Sequence, residues 1–135
     1  MEQTLQYLYD FAFSHHIGIN YNSKLTPYAP SLSRGSTQTI YINMNWHNKK
    51  EIPFIIAHEI SHLLNKDVGI LYYTTGSSRS KIEKSANTGA IDILIGYADY
   101  LGIEQVNVVK FMEEFGIPSK FENLVMNRLG NRFSI

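Results

Sequence analysis

His58 and His62 stand four residues apart in FIIAHEISHLL (residues 54–64), and Glu59 directly follows the first of them. On an α-helix, residues at i and i+4 lie one above the other, so both imidazoles address one point. A tetrahedral metal ion takes two of its ligands from such a pair. Glu59 projects about 100° away around the helix, close enough to reach a water on the ion without ligating it. Zinc lowers the pKa of such a water to about 7, and an adjacent carboxylate accepts its proton. This is the H-E-x-x-H arrangement of zinc peptidases. The plain alternative is a helix whose histidines are satisfied by their neighbours. Phe54, Ile55, Ile56, Ile60, Leu63 and Leu64 argue against it, because they predict a buried helix, and burying three titratable groups without purpose costs free energy.

Two histidines leave a catalytic zinc site incomplete, since three protein ligands and an open position are usual. Asn65 and Val68 occupy the positions where an extended motif carries Gly and a third His, and no histidine follows His62. The third ligand is therefore expected from a downstream carboxylate. Asp67 follows too closely in sequence to fold back easily, which leaves Glu83, Asp92 and Asp99. Glu83 is best placed, past a loop long enough for an antiparallel return. Ala86 and Asn87 share its helical face. The alanine permits close helix approach, and Asn87 is a candidate hydrogen-bond partner that fixes the ring of a ligating histidine.

The rest of the chain must position these groups. Leu5, Leu8, Tyr9, Ala12 and Phe13 predict an amphipathic helix over 2–16, ended near Gly18, with His15 and His16 at its solvated C-terminus. Residues 17–48 carry turn signals, and Ile40 and Ile42 in TQTIYINMN alternate as in a strand. A partner from 26–33, paired across the Gly35 turn, is expected to be short or irregular because of Pro27 and Pro30. The helix of the motif spans about 50–65, starting at Pro53 or, alternatively, capped by Asn48 with a distortion at Pro53. A loop over 66–78 precedes a long helix, 79–100, and shorter helices follow at about 104–115 and 118–130. The expected fold class is α+β, mainly helical with a small antiparallel sheet, and residues 1–135 read as a single domain.

Composition narrows the function classes. The 135 residues are 44% hydrophobic and 18% charged, enough to bury a core. Twelve basic residues balance twelve acidic ones, which gives no bulk attraction to nucleic acid or anionic membrane. There is no cysteine, so a metal must be held by histidine and carboxylate. The polar start MEQTLQYLYD lacks the pattern of a secretory signal, and the apolar runs IPFIIA and AIDILIG are too short to span a bilayer. A cytoplasmic location is the expectation.

The order TIYINMN, IPFIIAHEISHLL and KIEKSANTGAIDIL resembles the ImmA/IrrE family of metallopeptidase-like proteins over about residues 38–95. That family pairs H-E-x-x-H with a later E-x-x-A-N, here Glu83, Ala86 and Asn87. The resemblance implies a gluzincin-like zinc site with His58, His62 and Glu83 on the metal and Glu59 as general base. It also implies a role as an anti-repressor from a phage or mobile element, cleaving or otherwise inactivating a helix-turn-helix repressor. Pro53, near the start of the motif helix, departs from the common family pattern. A substrate peptide is expected to add as a strand beside TIYINMN. Tyr72, Tyr73 and His47 are candidates for an additional oxyanion donor only by being polar and near in sequence.

Two other readings compete. A non-proteolytic module would inactivate the repressor by occupation, although a purely structural metal site needs no general base. A DNA-binding regulator is suggested by the helix–turn–helix cadence of residues 113–130 with Lys120, Arg128 and Arg132. Glu113, Glu114 and Glu122 offset those charges, so direct binding to nucleic acid is not expected.

Overall fold

The computed structural model describes residues 1–67 and 76–130, with no account of the side chains of 76–78. Helix α1 (Glu2–Ser14) buries Leu8 and Ala12 on one face. It ends at His15 and His16, not at Gly18: His16 adopts φ 60°, and the Ile17 amide donates to the Ala12 carbonyl at 2.9 Å. Gly18 then opens strand β1 (Gly18–Asn22), an element hidden among the turn signals of 17–48.

Strands β2 (Leu32–Arg34) and β3 (Thr39–Asn43) form the hairpin expected across Gly35. The sheet order is β1-β3-β2, with β1 parallel to β3 and β2 antiparallel to it. The α+β, mainly helical class holds, but the sheet is mixed rather than antiparallel throughout. Parallel pairing needs a crossover, and residues 23–38 supply it by carrying the chain past β3 before it returns. Strand β3 is consequently central, with Ile40 and Ile42 fully buried and both edges occupied. A peptide cannot add beside it; the edge nearest the H-E-x-x-H helix is β2.

Asn43 ends β3 and organises the preceding loop. Its buried amide donates to the carbonyls of Thr26 and Ala29 at 2.9 and 2.8 Å, and its side-chain oxygen accepts from the Asn45 amide. Loop residues Pro30 and Ser31 are thereby fixed.

Both readings of the motif helix are partly realised. Asn48 accepts a hydrogen bond from the Lys50 amide and caps a single 3₁₀ turn, Lys49–Glu51. Helix α2 (Ile52–Leu64) follows, with Pro53 in its first turn, where an absent N–H costs nothing. The 3₁₀ turn is the distortion that reconciles the Asn48 cap with Pro53.

Helix α3 (Gly76–Tyr100) returns against α2 and packs on it more extensively than any other helix. Helix α4 (Val108–Phe115) begins later than the periodicity predicts, at the Asn107 cap, and stops at Gly116 with φ 68°. Only glycine suits this position for a second reason: a Cβ there would lie 1.8 Å from the Lys50 carbonyl oxygen. The turn is thus seated against the start of α2. A 3₁₀ turn (Ser119–Phe121) leads into α5 (Glu122–Gly130). Phe111, Phe115, Val125 and Leu129 close the core, and Arg128 binds Asp92 of α3 through two hydrogen bonds of 2.8 Å. These two helices thus contribute to the core, with Arg128 engaged within the chain, while Arg132 lies outside the described residues. No helix among the described residues is long and apolar enough to cross a membrane.

Candidate metal centre

The sequence of α2 is apolar on nearly every side, so the helix is almost entirely enclosed, and its polar residues have to find partners inside. His62 is 3% exposed and Glu59 8%. The Nε2 atoms of His58 and His62 lie 3.1 Å apart, their rings nearly perpendicular. Glu83 completes the group from α3, its Oε2 at 3.0 Å from His58 Nε2 and 3.3 Å from His62 Nε2. Two imidazole nitrogens and one carboxylate oxygen thus face a common point, a donor set that suits a divalent metal ion.

Glu83 reaches this point because α2 and α3 approach closely. The contact is made at Gly89, where a Cβ would fall 2.0 Å from Ser61 Oγ and 3.1 Å from Ser61 Cβ. Ser61 is itself buried, so the space cannot be regained by moving it into solvent. Ala86 and Ala90, both fully buried, continue the small-residue face of α3. The loop between the helices, including Tyr72 and Tyr73, lies outside the described residues.

His62 has a second partner. Its Nδ1 lies 3.1 Å from Asp67 Oδ2, so Asp67 does fold back, though onto the side of the ring facing away from Glu83. The device is a left-handed turn at Lys66, φ 57°, which lets the Asp67 amide donate to the His62 carbonyl at 3.1 Å. Lysine rarely takes this conformation, so the sequence carried no glycine signal for it. His58 is held differently: its buried Nδ1 has no hydrogen-bond partner among the described residues.

The charges respond to this packing. Burial pushes the Glu59 carboxyl up to about 7, while His58 and His62 pull the other way and Glu83 adds to the rise. The Ser33 side chain of β2 also interacts with the Glu59 carboxylate and partly offsets the rise. Burial alone would lower the His62 pKa, but hydrogen bonds to Glu83 and Asp67 override it and raise the imidazole to about 9. Hydrogen bonds from His58 and His62 hold Glu83 well below the usual carboxylate range.

His58, Glu59, Glu83 and Asn87 open onto a cleft of about 440 Å³. Pro30, Trp46, Phe54 and Phe121 give it apolar walls. Trp46 is fixed by a 2.8 Å hydrogen bond from its Nε1 to Glu51, and Phe54 packs against Phe121 with ring centroids 5.7 Å apart.

The profile of a peptidase family described as the IrrE N-terminal-like domain matches residues 12–124. The chain belongs to the ImmA/IrrE family. No curated protein and no solved structure gives a significant match. Membership is read over most of the chain, beyond the three segments that carry the resemblance in sequence.

Of the residues singled out for this family's site, His58, His62 and Glu83 meet at one point, Glu59 lies beside them, and Asn87 lines the cleft next to Glu83. The hydrogen bond on a histidine comes instead from Asp67. Asp92, one of the two rival carboxylates, is committed to Arg128. His47 stacks on Tyr28 with centroids 4.3 Å apart and bonds the Pro27 carbonyl, away from the cleft lining. Ser33 and Phe121 went unnoticed in sequence because neither belongs to a motif; only the hairpin and the Gly116 turn bring them to α2.

Proposed function

We propose that this ImmA/IrrE-family chain is a zinc-dependent endopeptidase of narrow specificity, with His58, His62 and Glu83 holding zinc and Glu59 as general base. The observation that carries this reading is the convergence of the three ligand atoms, with Glu59 next to them on a cleft wall. Tetrahedral zinc with bonds of about 2.0–2.2 Å separates its ligand atoms by about 3.3–3.6 Å. The 3.0–3.3 Å spacings among His58, His62 and Glu83 need only a slight opening to match. Two imidazoles and one carboxylate leave a fourth position free. Zinc held by His58, His62 and Glu83 would supply a water of lowered pKa and Lewis-acid polarisation of a peptide carbonyl.

The remaining chemistry belongs to the chain. Glu59, buried beside the ligand atoms and on the cleft wall, would take up the proton of the attacking water and return it to the leaving amine, the two roles required of it. Asp67 accepts from His62 Nδ1 and so presents Nε2 toward Glu83. The substrate backbone is positioned by the edge of β2 that is unpaired among the described residues, whose Ser33 meets Glu59, through main-chain hydrogen bonds.

The substrate in this reading is a helix-turn-helix repressor of a phage or mobile element, inactivated by cleavage; the support is family membership and the resemblance in the two motifs. The decisive test incubates zinc-loaded protein with the repressor encoded beside it, comparing wild type with Glu59→Gln. Wild type is expected to cut the repressor and the variant to bind without cutting. If both leave it intact and both block its DNA binding, the protein acts by occupation. If no metal is retained after loading, the reading fails.

A further inference from the structure

The last segment of the chain does more than close the core. The Gly116 turn, locked against Lys50, swings Pro118, Lys120 and Phe121 over the start of α2, where all three line the same cleft as His58 and Glu59. Phe121 and Phe54 make an aromatic wall. Lys120 is exposed, and its Nζ sits 5.2 Å from the centre of the Phe121 ring. Among the described residues Lys120 has no carboxylate within ion-pair distance, whereas Glu51, also on the lining, is engaged by Trp46. No other lysine or arginine appears among the described residues lining the cleft.

A cleft with apolar walls, whose carboxylates Glu59 and Glu83 belong to the metal site and whose exposed Lys120 carries an uncommitted ammonium, complements one kind of peptide. We propose that this cleft selects segments in which a large apolar side chain lies within a few residues of an aspartate or glutamate. Phe54 and Phe121 take the apolar side chain, and Lys120 pairs with the carboxylate. This rests on the reading of the cleft as a peptide site, and it names the specificity-determining residues of that site. The rim charge contributes selectivity more than affinity, because an exposed ion pair is weak and screened by salt.

Trp46, the single tryptophan of the chain, lies on the cleft lining and reports occupancy without any turnover. Zinc-loaded Glu59→Gln protein is titrated with amidated hexapeptides that differ only in Glu, Gln or Lys beside a central Phe, while Trp46 fluorescence is followed. The Glu peptide should bind roughly tenfold more tightly than the Lys peptide, with the difference shrinking at high salt. Lys120→Glu should reverse that order, and Phe121→Ala should weaken all three peptides without changing it. Both variants are checked for native circular dichroism. Equal affinity for the three peptides, no detectable binding, or an unchanged order in Lys120→Glu overturns the proposal. A preference seen only with free C-terminal carboxylates also overturns it, since the ammonium would then be reading a chain end. Cleavage of the Glu peptide by the wild type is scored separately. Preference without cleavage keeps this inference and sinks the peptidase reading, while cleavage without preference does the reverse.

Discussion

Asp67 Oδ2 stands 3.1 Å from His62 Nδ1, on the opposite side of the ring from Glu83, so two carboxylates grip one buried imidazole from its two nitrogens. In the metal-free protein both ring nitrogens carry protons, one toward each carboxylate; a metal taking Nε2 would displace only that proton, while Asp67 holds the other on Nδ1. It also makes the ring a better donor, because a negative charge lies behind it.

Replacing Asp67 should therefore weaken metal binding without unfolding the chain. Asp67→Asn keeps an acceptor but loses the charge, and zinc affinity should fall about tenfold; Asp67→Ala should lose about a hundredfold. Competition with a chromophoric chelator measures both. Unchanged affinity in Asp67→Ala would show that the tight packing around His62 suffices to orient it.

Glu59→Gln should stabilise the metal-free protein while removing hydrolysis. The folded pKa of Glu59, about 7, lies above its unfolded value, so ionising this buried group opposes folding as pH rises from about 4.5 to 7. At pH 8 the neutral glutamine should gain on the order of 1–3 kcal/mol, read from urea unfolding. At pH 4 the two proteins should be nearly equal.

Metal-free protein should lose stability as pH rises from 7 to 9. The His62 imidazolium is favoured in the folded state, with a pKa of about 9 against 6.5. Its contribution is complete below pH 6.5 and disappears as pH passes through 9. Glu59, at about 7, completes its titration between pH 7 and about 8, so the decline above pH 8 belongs to His62. Thermal melts of His62→Gln should be flat above pH 8, and zinc-loaded wild type should lack the decline there because metal replaces the proton.

Gly89→Ala should push α2 and α3 apart. The added methyl meets Ser61 Oγ at 2.0 Å, and overpacking of this kind costs about 1–3 kcal/mol. Glu83 rides on the displaced helix, so zinc affinity should fall together with stability. Ser61→Ala in the same chain removes the clashing oxygen and leaves a Cβ at 3.1 Å, which a small shift accommodates. Calorimetry and metal titration should both recover most of the loss in the double variant. If affinity falls but the double variant does not restore it, the Gly89 contact is not what sets the position of Glu83.

What the sequence determined by itself was local or periodic. The i, i+4 spacing put His58 and His62 on one helix face, Pro53 and Asn48 marked where that helix begins, and alternation in TIYIN announced a buried strand. Glu83 was reachable because its motif recurs with H-E-x-x-H in one family. Tertiary structure decided the rest. Strand β1 escaped notice because a parallel partner is specified by a distant strand rather than by a turn of its own. The place of β3 at the centre of the sheet left β2, rather than β3, at the sheet edge beside α2, and no periodicity encodes strand order. Asp67 came to His62 through a left-handed lysine, a conformation that sequence reserves for glycine and asparagine. Phe121 and Lys120 reached the cleft because Gly116 lets two backbone segments touch where a side chain would hold them apart. Spacing along one helix is fixed by covalent geometry, whereas contacts between elements depend on which surfaces fit, and that is a property of the assembled core.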